Sequence, residues 1–126
     1  MIGFAWTIQL LQYPGMADVP ASAFAAFERN HQRRVSRVLL LFAPAEVVTA
    51  AWIVVQEPGD PIRWLTGILL AGIWISTGAW FAPVHGRLST GGFDPVLHRR
   101  LVAANWLRTM AWTARGGLVL FLVLAR

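Results

Sequence analysis

The apolar positions of this chain come in blocks, not in alternation. Residues 38–55, 64–82 and 101–125 form three nearly unbroken apolar runs, each close to the roughly 20 residues that a helix needs to cross about 30 Å of hydrocarbon. A fourth run, residues 2–11, would reach only about 15–18 Å as a helix. It has neither the basic start nor the small-residue cleavage site of a signal peptide. It is expected to be the second half of a span that starts upstream of Met1, or else a half-span packed against a thinned region.

The polar connections carry the stop and start signals. Tyr13-Pro14-Gly15 predicts the end of the first helix. After Pro20 and a possible cap at Ser22, the pattern of Phe24, Phe27, Glu28, Arg29, Arg33 and Arg34 predicts an amphipathic segment lying at the headgroups and turning up into the second run. Residues 56–61, Gln-Glu-Pro-Gly-Asp-Pro, predict a tight turn. Residues 89–95 predict a loop, with Asp94 and Pro95 as cap and first turn of a long last helix. The predicted fold is therefore all-α: a polytopic membrane four-helix bundle in one domain spanning 1–126. Its helices are expected at about 2–12, 22–55 (including the interfacial part), 63–83 and 95–125.

Composition agrees with this pattern. Of 126 residues, 56% are hydrophobic and 13% charged, with mean hydropathy +0.54 and no Cys, which excludes a disordered chain, a disulfide scaffold and a Cys-based metal site. The net charge of +5 comes from eleven Arg and no Lys against six acids. If the runs alternate across a membrane, one side holds Arg29, Arg33, Arg34, Arg37, Arg87, Arg99 and Arg100. The other holds Arg63 and Arg126. Seven against two makes the first side cytoplasmic and places both chain ends outside. The basic surplus then reports orientation and contact with anionic lipids, and no nucleic-acid partner is expected.

Two charges fall inside the runs. Glu46 and Arg108, counted from the cytoplasmic side, both lie roughly 12–14 Å deep and are expected to pair, because either one alone would cost about 2.5–3.5 kcal/mol at the centre of a span. The last helix places His98, Asn105, Thr109 and Trp112 on one face with Arg108 and Arg115 alongside. With Gln9, Trp6, and Ser76 or Thr77, these residues predict a polar pocket open to the cytoplasm, with Tyr13, His31, His85 and His98 at its mouth. In this reading the catalytic candidates are Glu46, Arg108, His31, His85 and His98, for proton transfer or oxidoreduction. Arg108 holds the polar or anionic group, Glu46 accepts a proton or orients the ligand, and a histidine at the mouth exchanges protons with water. Gln9, Tyr13, Thr77, Asn105, Thr109, Trp112 and Arg115 hold the ligand. No metal is assigned, since no short-range ligand spacing is present, and the sequence names no cofactor.

The order of these residues also carries a resemblance. Gln9, Tyr13-Pro14, Phe24, His31, Arg34, Pro44 and Glu46, then Trp74, Ser76-Thr77, Pro83, His85, Leu88, Asp94 and His98, close with NWxRTxxWxxR from Asn105 to Arg115. The succession resembles a family of small bacterial integral membrane proteins of uncharacterised function. In architecture alone it is also similar to anthrone-oxygenase-like membrane proteins. The resemblance implies a four-helix bundle in a bacterial inner membrane and supplies no reaction. The residues themselves point to an amphipathic or acidic small molecule such as a lipid, a quinone-like ring or an aromatic compound. Membrane lipids are the other expected partner. Two other classes stay open: a structural subunit of a membrane complex, and a proton-coupled or anion transporter.

Overall fold

The computed structural model describes residues 1–125. Arg126, counted above with the outer arginines, lies outside the described residues. Four helices follow one another: α1 over residues 2–16, α2 over Ala21–Gln56, α3 over Pro61–Gly91 and α4 over Pro95–Leu124, with no strand among the described residues. Helices α2, α3 and α4 are long and apolar enough to cross a membrane. Their middle sections expose large apolar side chains, among them Leu40, Leu41, Val48, Ile68, Ile75 and Leu107. A soluble protein rarely leaves so much apolar surface uncovered, so this surface points to membrane association.

The connections are short because the caps are local. Asp60 accepts from the Ile62 amide at 2.8 Å, and Asp94 accepts from the Val96 and Leu97 amides at 2.8 and 3.0 Å. Each stands immediately before a proline at the first helical position. At the first of these turns Arg63, nearly fully buried, meets Glu57 at 3.2 Å and Asp60 at 3.4 Å. Its charge is thus offset by the acids of its own turn, whereas Arg33, Arg34, Arg37, Arg87, Arg99 and Arg100 at the opposite end are exposed.

Three expected boundaries move. Tyr-Pro-Gly does not stop α1, which continues to Met16, and Pro83 does not end α3, which runs on to Gly91. A proline inside a helix lacks its amide and its ring presses on the carbonyl four residues back. Here each proline follows a single wide turn, Ile8–Gln12 before Pro14 and Thr77–Phe81 before Pro83, which contains that carbonyl residue. Such wide turns commonly stand at functional sites. The third is the start of α2, one 36-residue helix that includes the interfacial part and has Pro44 inside it: it begins at Ala21 with Pro20 as its flanking residue, and Ser22 makes no cap.

The core is layered along the helix axes. Toward the Gly92 loop lies a cluster containing Ile8, Tyr13, Met16, Phe24, Phe81, Leu88 and Leu101. Toward the Glu57–Asp60 turn lies a second, of Ala5, Ala50, Leu70, Ile73 and Trp112. Three helices carry a polar residue between the two apolar layers: Gln9 between Ala5 and Tyr13, Thr77 between Ile73 and Phe81, and Asn105 with Arg108 and Thr109 between Leu101 and Trp112. Helix α1 lies along α4 and α2 along α3, which leaves a groove between α1 and α2.

Candidate functional site

The polar layer is organised around Asn105, which is fully buried. Its amide donates to Gln9 Oε1 at 2.7 Å and, more weakly, to Thr109 Oγ1 at 3.5 Å, while its Oδ1 accepts from Arg108 Nε at 3.0 Å. Arg108 in turn donates to Thr77 Oγ1 at 3.4 Å, and its guanidinium carbon lies 4.0 Å from the centre of the Phe81 ring. Gln9 and Asn105 therefore fix the direction of Arg108 from behind. In front of it is a cavity of about 110 Å³ bordered by Arg108, Thr77, Tyr13, His31 and His85, with Phe4, Ile8, Val35 and Phe81 as apolar walls.

A second chain of polar groups enters this cavity from the loop end. Glu28 is completely buried. Its Oε1 accepts from His85 Nδ1 at 2.5 Å and from Gln32 Nε2 at 3.3 Å; Gln32 also donates to the His85 carbonyl at 2.8 Å. Because a carboxylate only accepts, the hydrogen of the neutral His85 ring is on Nδ1, and Nε2 is left to accept from the Tyr13 hydroxyl at 2.9 Å. Tyr13 is placed by its own carbonyl, which accepts from His98 Nε2 at 2.8 Å. That carbonyl is available because the last turn of α1 closes on Pro14 and Gly15 instead. His31 stands beside both rings, 6.3 Å from Tyr13 and 5.4 Å from His85 between centroids, and stacks on Phe27.

Burial pushes the Tyr13 phenol up from 10.0 to about 12; the Arg108 guanidinium opposes that rise and Glu28 adds to it. A raised acid of this kind stabilises the fold in full below pH 10, and the contribution is lost as pH rises through about 12. Tyr13 is the sole tyrosine of the chain, so phenolate absorbance reads it alone. The native protein is expected to ionise late, near pH 12, with loss of helical signal following, and Tyr13→Phe is expected to flatten stability over that alkaline range. Ionisation at the ordinary value in the folded protein would contradict the buried placement.

Several expected roles change. Glu46 and Arg108 do not pair: among the described residues Arg108 has no carboxylate partner, and Glu46 does not border the cavity. Glu46 instead lies within the electrostatic reach of Arg115 and beside the Trp74 indole. Counted back from the ends of α2 and α4, Glu46 lies about 15 Å in and Arg115 about 14 Å, whereas Arg108 lies about 24 Å in. Arg115 also donates to the Thr66 carbonyl at 3.3 Å. His98 joins α1 to α4 and is not at a pocket mouth. Gln9, Asn105 and Thr109 stand behind Arg108 and do not border the cavity. Trp112 packs on Trp74 edge to face at 6.4 Å. His31, His85, Tyr13, Thr77 and Arg108 are the expected residues that the structure does bring together.

The cavity adjoins the groove between α1 and α2. Phe4, Ile8, His31 and Val35 border both, and the groove, about 360 Å³, continues past Thr7, Asn30 and Val38 with Arg34 at its rim. A mostly apolar groove thus shares a wall with a polar chamber bordered by a guanidinium, two imidazoles and a phenol. No family model, curated protein or solved structure matches this chain.

Proposed function

We propose that this chain is a multi-pass protein of a bacterial inner membrane, in the family that its NWxRTxxWxxR segment resembles, and that its polar cavity binds a single-chain amphiphile with an acidic head. Residues 13–37 and 83–100 face the cytoplasm in this reading, so the groove opens in the cytoplasmic half. The acidic head sits against Arg108 and the tail lies in the groove between α1 and α2.

The observation that carries the reading is Arg108 itself. A guanidinium among apolar helices is costly without a counter-charge, and among the described residues it has none. Its charge is held in place by neutral partners, Asn105, Thr77 and the Phe81 face. That arrangement keeps an ionic bond available for an anion entering the chamber, and charge-assisted bonds to Arg are about twice as strong as neutral ones. Arg34 at the groove rim adds a second positive charge along the entry route.

The test is binding of dodecanoate, with dodecanol as the uncharged control, to detergent-purified protein. Wild type is expected to take up dodecanoate in preference to dodecanol, and Arg108→Leu to weaken dodecanoate by about 100-fold, equivalent to about 2.7 kcal/mol, while dodecanol is unchanged. Equal dodecanoate affinity in wild type and Arg108→Leu would overturn the assignment.

A further inference from the structure

The chain from Glu28 through His85 to Tyr13 ends in the cavity beside Arg108, whose guanidinium is in hydrogen-bond contact with the Tyr13 hydroxyl, and its direction is fixed. Glu28 holds the hydrogen on His85 Nδ1, so Nε2 is a base already in contact with the Tyr13 hydroxyl. The order is carboxylate, imidazole, hydroxyl, the same logic that activates a nucleophile or a base in hydrolases. Structural hydrogen bonding alone would be expected to satisfy both carboxylate oxygens. Here Glu28 Oε2 is completely buried and has no partner among the described residues, an exception that needs a reason, of which a catalytic role is one. His98 and Gln32 brace the two ends of the chain through the Tyr13 and His85 carbonyls.

We propose that Tyr13, His85 and Glu28 form a proton-abstraction relay acting on the acidic or enolisable head of the molecule bound at Arg108. This rests on the binding reading given above. In the step, the ligand's X–H bond breaks and its proton bonds to the Tyr13 oxygen as the Tyr13 O–H bond breaks and its proton bonds to His85 Nε2. The ligand keeps the electron pair as an anion opposite the Arg108 guanidinium, and the new imidazolium is held by the Glu28 carboxylate. Two bonds break, two form, and no oxidant or further reactant is consumed. Tyr13 is the catalytic residue, since it touches the reacting atom; His85 receives the proton through it, and Glu28 is a positioning residue.

A hexyl-substituted 4-nitrophenol tests this, because only its anion is yellow. It is added to wild-type protein carrying ¹⁵N-labelled histidine, at a pH where the free probe is neutral. The relay predicts a bound, yellow probe together with conversion of the His85 nitrogen signals from the neutral Nδ1–H form to imidazolium. In Tyr13→Phe and Glu28→Gln the bound probe is expected to stay colourless and His85 neutral. The wild-type signal does not depend on whether those variants fold. A probe that binds, competes with dodecanoate and stays colourless, with His85 unchanged, overturns the relay and leaves the binding site standing. So does a yellow probe with His85 still neutral, which would assign the ionisation to Arg108 alone. Absence of any binding overturns the pocket reading and the relay with it.

Discussion

Replacing His85 with leucine is expected to cost the fold about 3–5 kcal/mol, among the largest effects of any single change in this protein. The reason is the partner left behind. Glu28 is completely buried, and among the described residues His85 is the only basic group bonded to it; Gln32 supplies one further bond at 3.3 Å, to the same oxygen. Without the imidazole the carboxylate is a buried charge with one long hydrogen bond, and the Tyr13 hydroxyl loses its acceptor as well. Adding Glu28→Leu to His85→Leu is expected to recover most of the loss, because two apolar side chains then replace a hydrogen-bonded polar pair in an apolar cluster. A residue of about 1–3 kcal/mol should stay with the unpaired Tyr13 hydroxyl. Unfolding free energies of the two single variants and the double variant in detergent provide the cycle. A double variant no more stable than His85→Leu alone would show that Glu28 and His85 are not coupled.

Glu28 is also the residue that the sequence reading placed wrongly, and the cause is physical. In a segment read as amphipathic and lying at the headgroups, an acid between Phe27 and Arg29 belongs to the wet face. A segment lying at the headgroups is wet on the side away from the bilayer. Instead α2 is continuous and α3 runs past Pro83 for two more turns, so the first turns of α2 are covered by α3, with Arg29 donating to the Ser89 carbonyl at 3.2 Å. A signal was present: Phe24, Glu28, His31 and Val35 recur at spacings of four, three and four, one stripe of a helix. Phe24, Glu28 and His31 are all buried.

Features set by neighbours in sequence were legible. Asp60-Pro61 and Asp94-Pro95 cap their helices where the residues place them, because a cap needs only the next three amides. The apolar runs gave three helices of membrane-crossing length for the same reason. Register between helices was not legible. Equal depth for Glu46 and Arg108 required a common origin at the same level, which the uneven lengths of α2 before Glu46 and of α4 before Arg108 remove. The NWxRTxxWxxR segment was read as one pocket face, yet its members serve different ends: Asn105 orients Arg108, Trp106 meets Trp6 edge to face at 5.7 Å, Trp112 meets Trp74, and Arg115 bonds the Thr66 carbonyl. A seven-residue repeat keeps residues on one face but spans two turns, about 10 Å, which is enough to pass from the cavity into the opposite apolar layer.

Asn105→Asp is expected to leave the fold intact and abolish acid binding, and the contrast follows from a single atom. Asn105 Oδ1 already accepts from Arg108 Nε at 3.0 Å, and aspartate presents an oxygen at the same place. Its second oxygen would face Gln9, whose amide can reverse so that Nε2 donates where Oε1 now accepts at 2.7 Å. The short bonds of the hub are therefore kept at the cost of the long Gln9 donation to the Val102 carbonyl at 3.5 Å, and the stability of the ligand-free protein should change little, since Arg108 gains the counter-charge it lacks. That same counter-charge competes with the ligand. A buried carboxylate in direct contact with the guanidinium should weaken dodecanoate by roughly 100-fold, about 2.7 kcal/mol, with dodecanol unaffected. Asn105→Leu, in contrast, removes the acceptor of Arg108 and the donor of Gln9 together, and should destabilise by about 3 kcal/mol or more. Titration calorimetry beside an unfolding curve separates the two variants. Dodecanoate binding as tight in Asn105→Asp as in wild type would remove Arg108 as the receptor of the acidic head, because a neutralised guanidinium could not supply that attraction.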